Sequence, residues 1–238
     1  MRVFAIGDMH LAGGTGKTMD RFGDNWRDHD RKIFESWERI GRDDDLLLIV
    51  GDTSWAMRFD EARSDLERIS QMKGLKLVFK GNHDYWWLSP ARMSRALDPS
   101  IKFIQASSFI VNRVAIAGTR GWLCPNDIYF EEHDAKIYER EVRRLKAAFA
   151  SLRGRESEYD FLIVALHYPP TNDKREPSGF TQLIDEIKAD ACVYGHLHGD
   201  AIKTGLTGLR GETNYYLVSA DAVDFAPAEI KIDRARRG

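Results

Sequence analysis

Leu46-Leu47-Leu48-Ile49-Val50-Gly51-Asp52 is a continuous apolar run that closes on a glycine and a carboxylate. Five aliphatic residues without polar alternation read as a strand covered on both faces, the pattern of a parallel sheet buried between layers. The pattern recurs along the chain. Val3-Phe4-Ala5-Ile6 leads into Gly7-Asp8-Met9-His10, and Val78-Phe79-Lys80 into Gly81-Asn82-His83-Asp84. The run ending at Leu166 leads into His167, and Val193-Tyr194 into Gly195-His196-Leu197-His198. In open α/β sheets, ligands sit in the crevice beyond the carboxyl ends of the strands. Five strand ends bearing Asp, Asn or His therefore point to one site that gathers metal ligands.

Strands are expected at 2–6, 46–50, 75–79, 101–105, 109–111, 114–117, 161–166, 191–194, 215–219 and 229–232. Helical spacing fills the gaps: Ile33, Phe34, Trp37 and Ile40; Ala62, Leu66, Ile69 and Met72; Tyr138, Val142, Leu145, Phe149 and Leu152; and Phe180, Leu183, Ile184 and Ile187. The first half alternates strand and helix, as parallel βαβ units do. The middle, 101–118, holds short strands in succession with Asn112-Arg113 as a tight turn. The fold expected is α/β, two packed mixed β-sheets flanked by helices in an αββα sandwich. All 238 residues are expected to form a single domain (1–238).

Composition narrows the function. Apolar residues make up 43% and charged residues 30%, with a net charge of -2. That balance gives no field to recruit nucleic acid or an anionic membrane. The C-terminal Arg234-Ala235-Arg236-Arg237 is a short basic stub, not a basic face. Cys192 reads as a buried apolar residue and Cys124, beside Pro125, as a loop residue open to solvent. The N-terminal apolar run is too short for a signal peptide and no stretch could span a bilayer, so the expected address is the cytoplasm. The oligomeric state is left open.

Two divalent ions held roughly 3.5–4 Å apart clamp both the attacking and leaving oxygens of a phosphoryl displacement. Such a site needs one carboxylate able to bridge the ions, terminal ligands for each, and a water of lowered pKa. Asp8 and His10 stand two apart, as do His196 and His198, so each pair shares one side of an extended segment. Gly51 lets the chain turn tightly toward Asp52. Five of the seven histidines fall in these motifs; His29 and His133 lie outside and read as surface residues. Asp43-Asp44-Asp45 precedes a strand and reads as a solvated turn. Gly13-Gly14-Thr15-Gly16-Lys17-Thr18 lacks the spacing of a nucleotide P-loop, because Leu11 stands where that pattern needs glycine. Lys17 could still reach a phosphate from the long 11–30 connection. Trp26, Trp55, Trp86, Trp87 and Trp122 read mainly as packing beneath loops, with an aromatic wall for a substrate as the sharper reading.

The order Asp-x-His, Gly-Asp, Gly-Asn-His-Asp, a lone His, then Gly-His-x-His runs from Asp8 to His198. It resembles the calcineurin-like metallophosphoesterase superfamily. The resemblance implies that Asp8, His10 and His198 ligate one ion, that Asn82, His167 and His196 ligate the other, and that Asp52 bridges them. It makes His83 the acid that serves the leaving oxygen and Asp84 the group that orients His83. The superfamily's protein phosphatase branch has Gly-Asp-x-x-Asp-Arg-Gly and Gly-Asn-His-Glu. Here the segments are Gly51-Asp52-Thr53-Ser54-Trp55 and Gly81-Asn82-His83-Asp84, which favours the bacterial-type phosphoesterases. The expected activity is hydrolysis of a small phosphodiester or phosphomonoester by a metal-bridging hydroxide, with the diester slightly favoured. A ligand set of oxygen and imidazole suits two divalent ions, Mn or Fe first, then Zn or Co. The alternatives are a non-catalytic scaffold of the same fold and a nuclease. The complete ligand set argues against the first, and the missing basic stripe against the second.

Overall fold

Unbroken aliphatic runs fold as strands here because both of their faces are covered. In the computed structural model, which describes residues 1–233 except Gly14, Thr18 and Asp127, β1 (Val3–Ile6), β2 (Leu46–Val50), β3 (Leu75–Phe79) and β4 (Ile101–Ile104) pair in parallel. They are joined by α1 (His29–Ile40), α2 (Phe59–Ser70) and α3 (Pro90–Ala96). A second sheet contains β5 (Ser107–Val111), β6 (Val114–Gly118), β7 (Phe161–Ala165), β8 (Ala191–Tyr194), β9 (Gly208–Arg210) and β10 (Thr213–Leu217). Its order is β5-β6-β7-β8-β10-β9, parallel from β6 to β10 with antiparallel strands at both edges. Helices α4 (Glu132–Ala150) and α5 (Gly179–Ile187) accompany that sheet, and β11 (Ala228–Ile230) returns to run antiparallel beside β1.

Alternate residues of each strand serve different layers. Val3, Ala5, Leu46, Leu48, Leu77 and Phe79 face the second sheet and meet Val114, Ile116, Ile163 and Val193. Phe4, Ile6, Leu47, Ile49 and Val78 face outward and pack against Ile33, Trp37, Leu66 and Ile69 of the helices. On the other side, Leu145 and Phe149 of α4 and Phe180 and Ile184 of α5 cover Ala115, Leu162, Val164 and Cys192. The result is the αββα sandwich expected. Asn112 and Arg113 make the β5–β6 turn with φ of 46° and 65°, the left-handed pair that a two-residue hairpin needs.

Several expectations are corrected by packing. Asp45 is buried, not solvated: its carboxylate accepts from Arg2 N at 2.9 Å, the Arg2 guanidinium and Arg42 N at 3.1 Å. Cys124 is buried too, and burial pushes its thiol up to about 12. Helix α3 carries a single buried apolar residue, Met93, too few to show a periodicity. Lys76 lies inside an apolar strand yet is fully buried, its Nζ donating to Ser70 O, Met72 O and Gly74 O at 3.0, 2.6 and 2.8 Å. It thereby caps the C-terminal end of α2. The 234–237 basic cluster lies outside the described residues, as do Gly14 and Thr18 of the glycine-rich stretch. Among the described residues, no helix is long and apolar enough to cross a membrane.

Candidate metal centre

The carboxyl ends of β1, β2 and β3 in one sheet converge with those of β7 and β8 in the other. Small residues permit this: a Cβ on Gly7 would meet Val50 Cγ2 at 3.0 Å and Gly195 Cα at 3.4 Å. The loops also brace each other. Asp8 N donates to Gly51 O and His10 N to Asp52 O, both at 2.9 Å.

Two clusters form in this convergence. Asp8, His10 and His198 offer donor atoms within 4.8 Å of one another, and so do Asp52, His167 and His196. Asp52 Oδ2 lies 3.9 Å from His10 Nε2 and 3.5 Å from His167 Nε2, between the clusters. Asn82 joins the second, its Oδ1 2.7 Å from His167 Nε2. All seven residues expected as ligands therefore meet at one place.

Each carboxylate is held by one oxygen and presents the other. Asp8 Oδ2 accepts from His196 N at 2.9 Å, and Asp52 Oδ1 accepts from His83 N at 2.8 Å. Asp8 Oδ1 is buried and has no hydrogen-bond partner, and neither does His10 Nδ1. His167 Nδ1 lies 3.0 Å from Val50 O, an atom that only accepts, so this nitrogen carries the proton. Its Nε2 lone pair then faces the Asn82 oxygen, two acceptors 2.7 Å apart and so closer than van der Waals contact. Such a pair is stabilised by a cation placed between them, and a buried unpaired carboxylate oxygen has the same need. The residues present thus fit the divalent ions that the sequence implies.

Electrostatics agree with that fit. Burial, with His198 adding to it, lowers the His10 pKa to about 3, and burial together with His167 does the same for His196. Burial likewise lowers His167. These rings are neutral at pH 7, the form that binds metal. Burial drives the Asp52 carboxyl well up, and the neighbouring Asp8 charge adds to this. Asp8 goes the other way: burial opposes its ionisation, but His198, His167 and His10 together hold it below the usual carboxylate range. His198 is raised to about 10, because Asp221 and Asp8 outweigh its burial.

The backbone is strained at these same residues. Asp8, His10, Asp52 and His196 have φ of 57°, 44°, 50° and 73°, in the left-handed region that only short polar side chains tolerate well. The motif glycines have a related cause. A Cβ on Gly81 would lie 2.0 Å from Asp52 Oδ1, and one on Gly195 2.3 Å from Asp8 Oδ2. Glycine stands there to clear the carboxylates.

Asp84 does not orient His83. Its two oxygens accept from Gly81 N at 2.7 Å, Thr53 N at 2.9 Å and Trp86 Nε1 at 3.0 Å, so it ties the loops after β2 and β3 together from beneath. Adjacent residues send their side chains in different directions, and Asp84 takes the inward one. The half-buried His83 ring instead packs against Trp55, with centroids 4.8 Å apart.

Two further residues belong to the site without any motif to mark them. Asp221, in the turn after β10, lies 2.8 Å from His198 Nδ1 and accepts from Gly199 N at 3.0 Å. A carboxylate in that position fixes the tautomer and aim of a ligating imidazole. His29 is buried rather than on the surface, with Nε2 3.0 Å from Met9 O and Nδ1 3.2 Å from Trp26 O, and so tethers the Asp8–His10 loop. His133 is exposed, as expected. Of the tryptophans, Trp86 and Trp87 pack in the core, whereas Trp55 stacks on His10 at 4.6 Å and Trp26 meets His198 at 5.4 Å.

Solved structures share this architecture. The phosphopantetheinyl hydrolase PptH from Mycobacterium tuberculosis superposes with a TM-score of 0.58 at 14% identity, covering 98% of this chain and 96% of that one. TT1561 of Thermus thermophilus gives 0.56 at 14% identity, over 90% and 87% of the two chains. A protein of unknown function, AQ665 from Aquifex aeolicus, gives 0.52 at 12% identity, over 96% and 95%. At such identities the likeness concerns the fold. No curated protein matches the sequence. The family model for calcineurin-like phosphoesterases matches residues 1–200, a span that holds every candidate ligand from Asp8 to His198, and the chain belongs to that family.

Proposed function

We propose that the protein is a dinuclear-metal phosphoester hydrolase. Asp8, His10 and His198 would hold one ion, Asn82, His167 and His196 the other, with Asp52 shared. The observation that carries this reading is the convergence of inward atoms: Asp8 Oδ1, which has no hydrogen-bond partner, Asp52 Oδ2 and the His167 Nε2 lone pair 3.5 Å from it, each on a buried residue whose other polar atom is already bonded. When bound, two divalent cations supply charge neutralisation for the phosphoryl oxygens and a water of lowered pKa. Oxygen and imidazole donors without thiolate fit Mn or Fe first, with Zn or Co as alternatives.

The chain supplies the rest. His83 lines the same cavity as Asp52 and is the group placed to donate a proton to the leaving oxygen. Burial, with His167 adding to it, pushes its pKa down in the free protein, so the ring starts neutral. A phosphoester brings negative charge beside it and draws that pKa back up. Trp55, stacked on His10, closes one side of the site to water. A diester is the favoured substrate, since its alkoxide leaving group gains most from an acid such as His83. On this reading the whole chain is one catalytic domain acting on a small phosphoester in the cytoplasm.

The test is hydrolysis of bis-p-nitrophenyl phosphate and p-nitrophenyl phosphate by chelator-stripped protein, with Mn²⁺ restored, beside Asp52→Asn. The expected result is metal-dependent turnover that the variant loses, with the diester cleaved faster. Failure of Mn, Fe, Zn and Co alike to restore turnover would overturn the reading in favour of a scaffold.

A further inference from the structure

Two cavities adjoin the metal centre, and their walls carry chemistry that a phosphate alone does not use. The first, about 440 Å³, is lined by metal-centre side chains and by Trp26, Trp55 and Phe22. The second, about 680 Å³, shares Trp55 and Phe22 with the first and adds Lys17 and Arg21. Volumes of this order hold ligands of some twenty or more heavy atoms, well beyond one phosphoryl group. Trp55 joins the two spaces. Its ring stacks on His10 with centroids 4.6 Å apart and planes 19° from parallel, while Lys17 Nζ stands 5.6 Å from the ring centroid. Phe22 is 66% exposed, an aromatic ring presented to open space.

We propose, resting on the phosphoester-hydrolase reading above, that the substrate is a nucleotide-type ester. The scissile phosphate sits at the metal centre, a flat heteroaromatic ring lies against Phe22 and Trp55, and a second phosphate lies between Lys17 and Arg21. Aromatic walls accept a base of any identity through its π-face. The two cations make no ion pair among the described residues, and on a chain of net charge -2 they form a local site for an anion. An acyl chain would use the rings and leave both cations without a partner. A plain sugar phosphate would use the cations and leave the rings bare. Only a ligand with both features fills both cavities.

Calorimetric titration of the Mn-loaded protein at 4 °C with inorganic phosphate, ribose 5-phosphate, AMP and ADP separates the contributions. AMP should bind about tenfold more tightly than ribose 5-phosphate, the gain from stacking the base. ADP should bind about fivefold more tightly again, the gain from the second phosphate. Phe22→Ala should close the first gap, and the double variant Lys17→Ala, Arg21→Ala the second. Equal binding of AMP and ribose 5-phosphate, or gaps that survive these substitutions, would overturn the proposal. So would decyl phosphate binding more tightly than AMP, which would assign the aromatic wall to an acyl chain. Failure of inorganic phosphate to bind would remove the hydrolase reading itself, whereas phosphate binding without the two gaps would remove only the nucleotide.

Discussion

Gly195→Ala probes the candidate metal centre at one of its tightest points, second to Gly81 among the motif glycines that face a carboxylate. A Cβ at this position would sit 2.3 Å from Asp8 Oδ2, so the carboxylate must retreat by about 1 Å to reach the 3.4 Å of ordinary contact. Gly195 lies outside the left-handed region, so the substitution adds no backbone strain and the test is purely steric. Neither partner is free to move. Gly195 N is bonded to His167 O at 3.0 Å, and Asp8 Oδ2 to His196 N at 2.9 Å. Metal ligands tolerate errors of about 0.2 Å, and a misplacement of about 1 Å in a catalytic group costs about 100-fold in rate. Stability should change less. Overpacking costs about 1–3 kcal/mol, and the lower entropy of the unfolded alanine chain offsets about 0.4–1 kcal/mol of that. At about 2–4 °C per kcal/mol for a chain of this length, Tm should fall by a few degrees. The assay is Mn²⁺ titration, a circular dichroism melt and bis-p-nitrophenyl phosphate hydrolysis on the same sample. The expected outcome is a folded protein with one Mn²⁺ bound more than tenfold more weakly and kcat/KM down about 100-fold. Wild-type metal affinity and turnover within threefold would refute the reasoning, since Asp8 would then have room to spare.

Two other outcomes follow from the same geometry. Asp221→Ala should leave the His198 ring free to turn and weaken Mn²⁺ binding about 10–100-fold; affinity unchanged within threefold would mean that packing against Trp26 aims the ring unaided. The pH dependence of stability should invert with metal. In the chelated protein His198 keeps a proton up to about 10 and the Asp52 carboxyl is raised; between pH 7 and 8, above the range in which the lowered His10, His83, His167 and His196 gain protons on unfolding, the folded state therefore binds more protons than the unfolded chain. Stability of the metal-free form must then fall as pH rises through that window, by about 1 kcal/mol per pH unit. Mn²⁺ takes the place of those protons, so the Tm gap between loaded and chelated protein should widen with pH; a gap that narrows from pH 7 to 8 would contradict this.

The candidate ligand residues are legible in the sequence because a site built at strand ends imposes local signatures. Each needs an aliphatic run to position it and a donor side chain within three residues, and in all but the His167 segment a glycine stands between them to let the loops approach closely. All of that lies in contiguous sequence, as in Val50-Gly51-Asp52 or Tyr194-Gly195-His196. Residues that act through tertiary contact leave no such trace. Asp221 sits in Ala220-Asp221-Ala222-Val223, an unremarkable acidic turn until β10 delivers it to His198. His29 reads as a surface residue, and its burial depends on the backbone of Met9 and Trp26 closing over it. Asp84 stands out in its motif but its partners do not, because sequence adjacency to His83 says nothing about which way a side chain turns. Lys76 hides in an apolar strand because its three acceptors come from the end of α2. In each case the missing information is which distant backbone atom waits for the side chain.

The glycines, the left-handed ligands and the unpartnered carboxylate oxygen have one explanation. Four residues held at positive φ, each at a cost of about 1–3 kcal/mol, persist only where the surroundings over-determine them. Here those surroundings are the other ligand loops. Asp8 is fixed by Gly51 O and His196 N, His10 by Asp52 O, and Asp52 by His83 N. Asp84 pins the chain at Gly81 and Thr53 on either side of the centre. The five strand ends therefore hold one another, and the protein's own hydrogen bonds suffice to aim the donors before any ion arrives. What they leave incompletely satisfied is charge: Asp8 Oδ1 has no hydrogen bond, with His198 Nε2 3.4 Å away, and the Asp8 charge bears on the buried Asp52 carboxyl. A rigid frame around converging carboxylates and imidazoles is the condition under which the binding energy of a cation would go into holding it rather than into ordering the loops. The strain in the ligand backbones is thus the counterpart of the site's preorganisation.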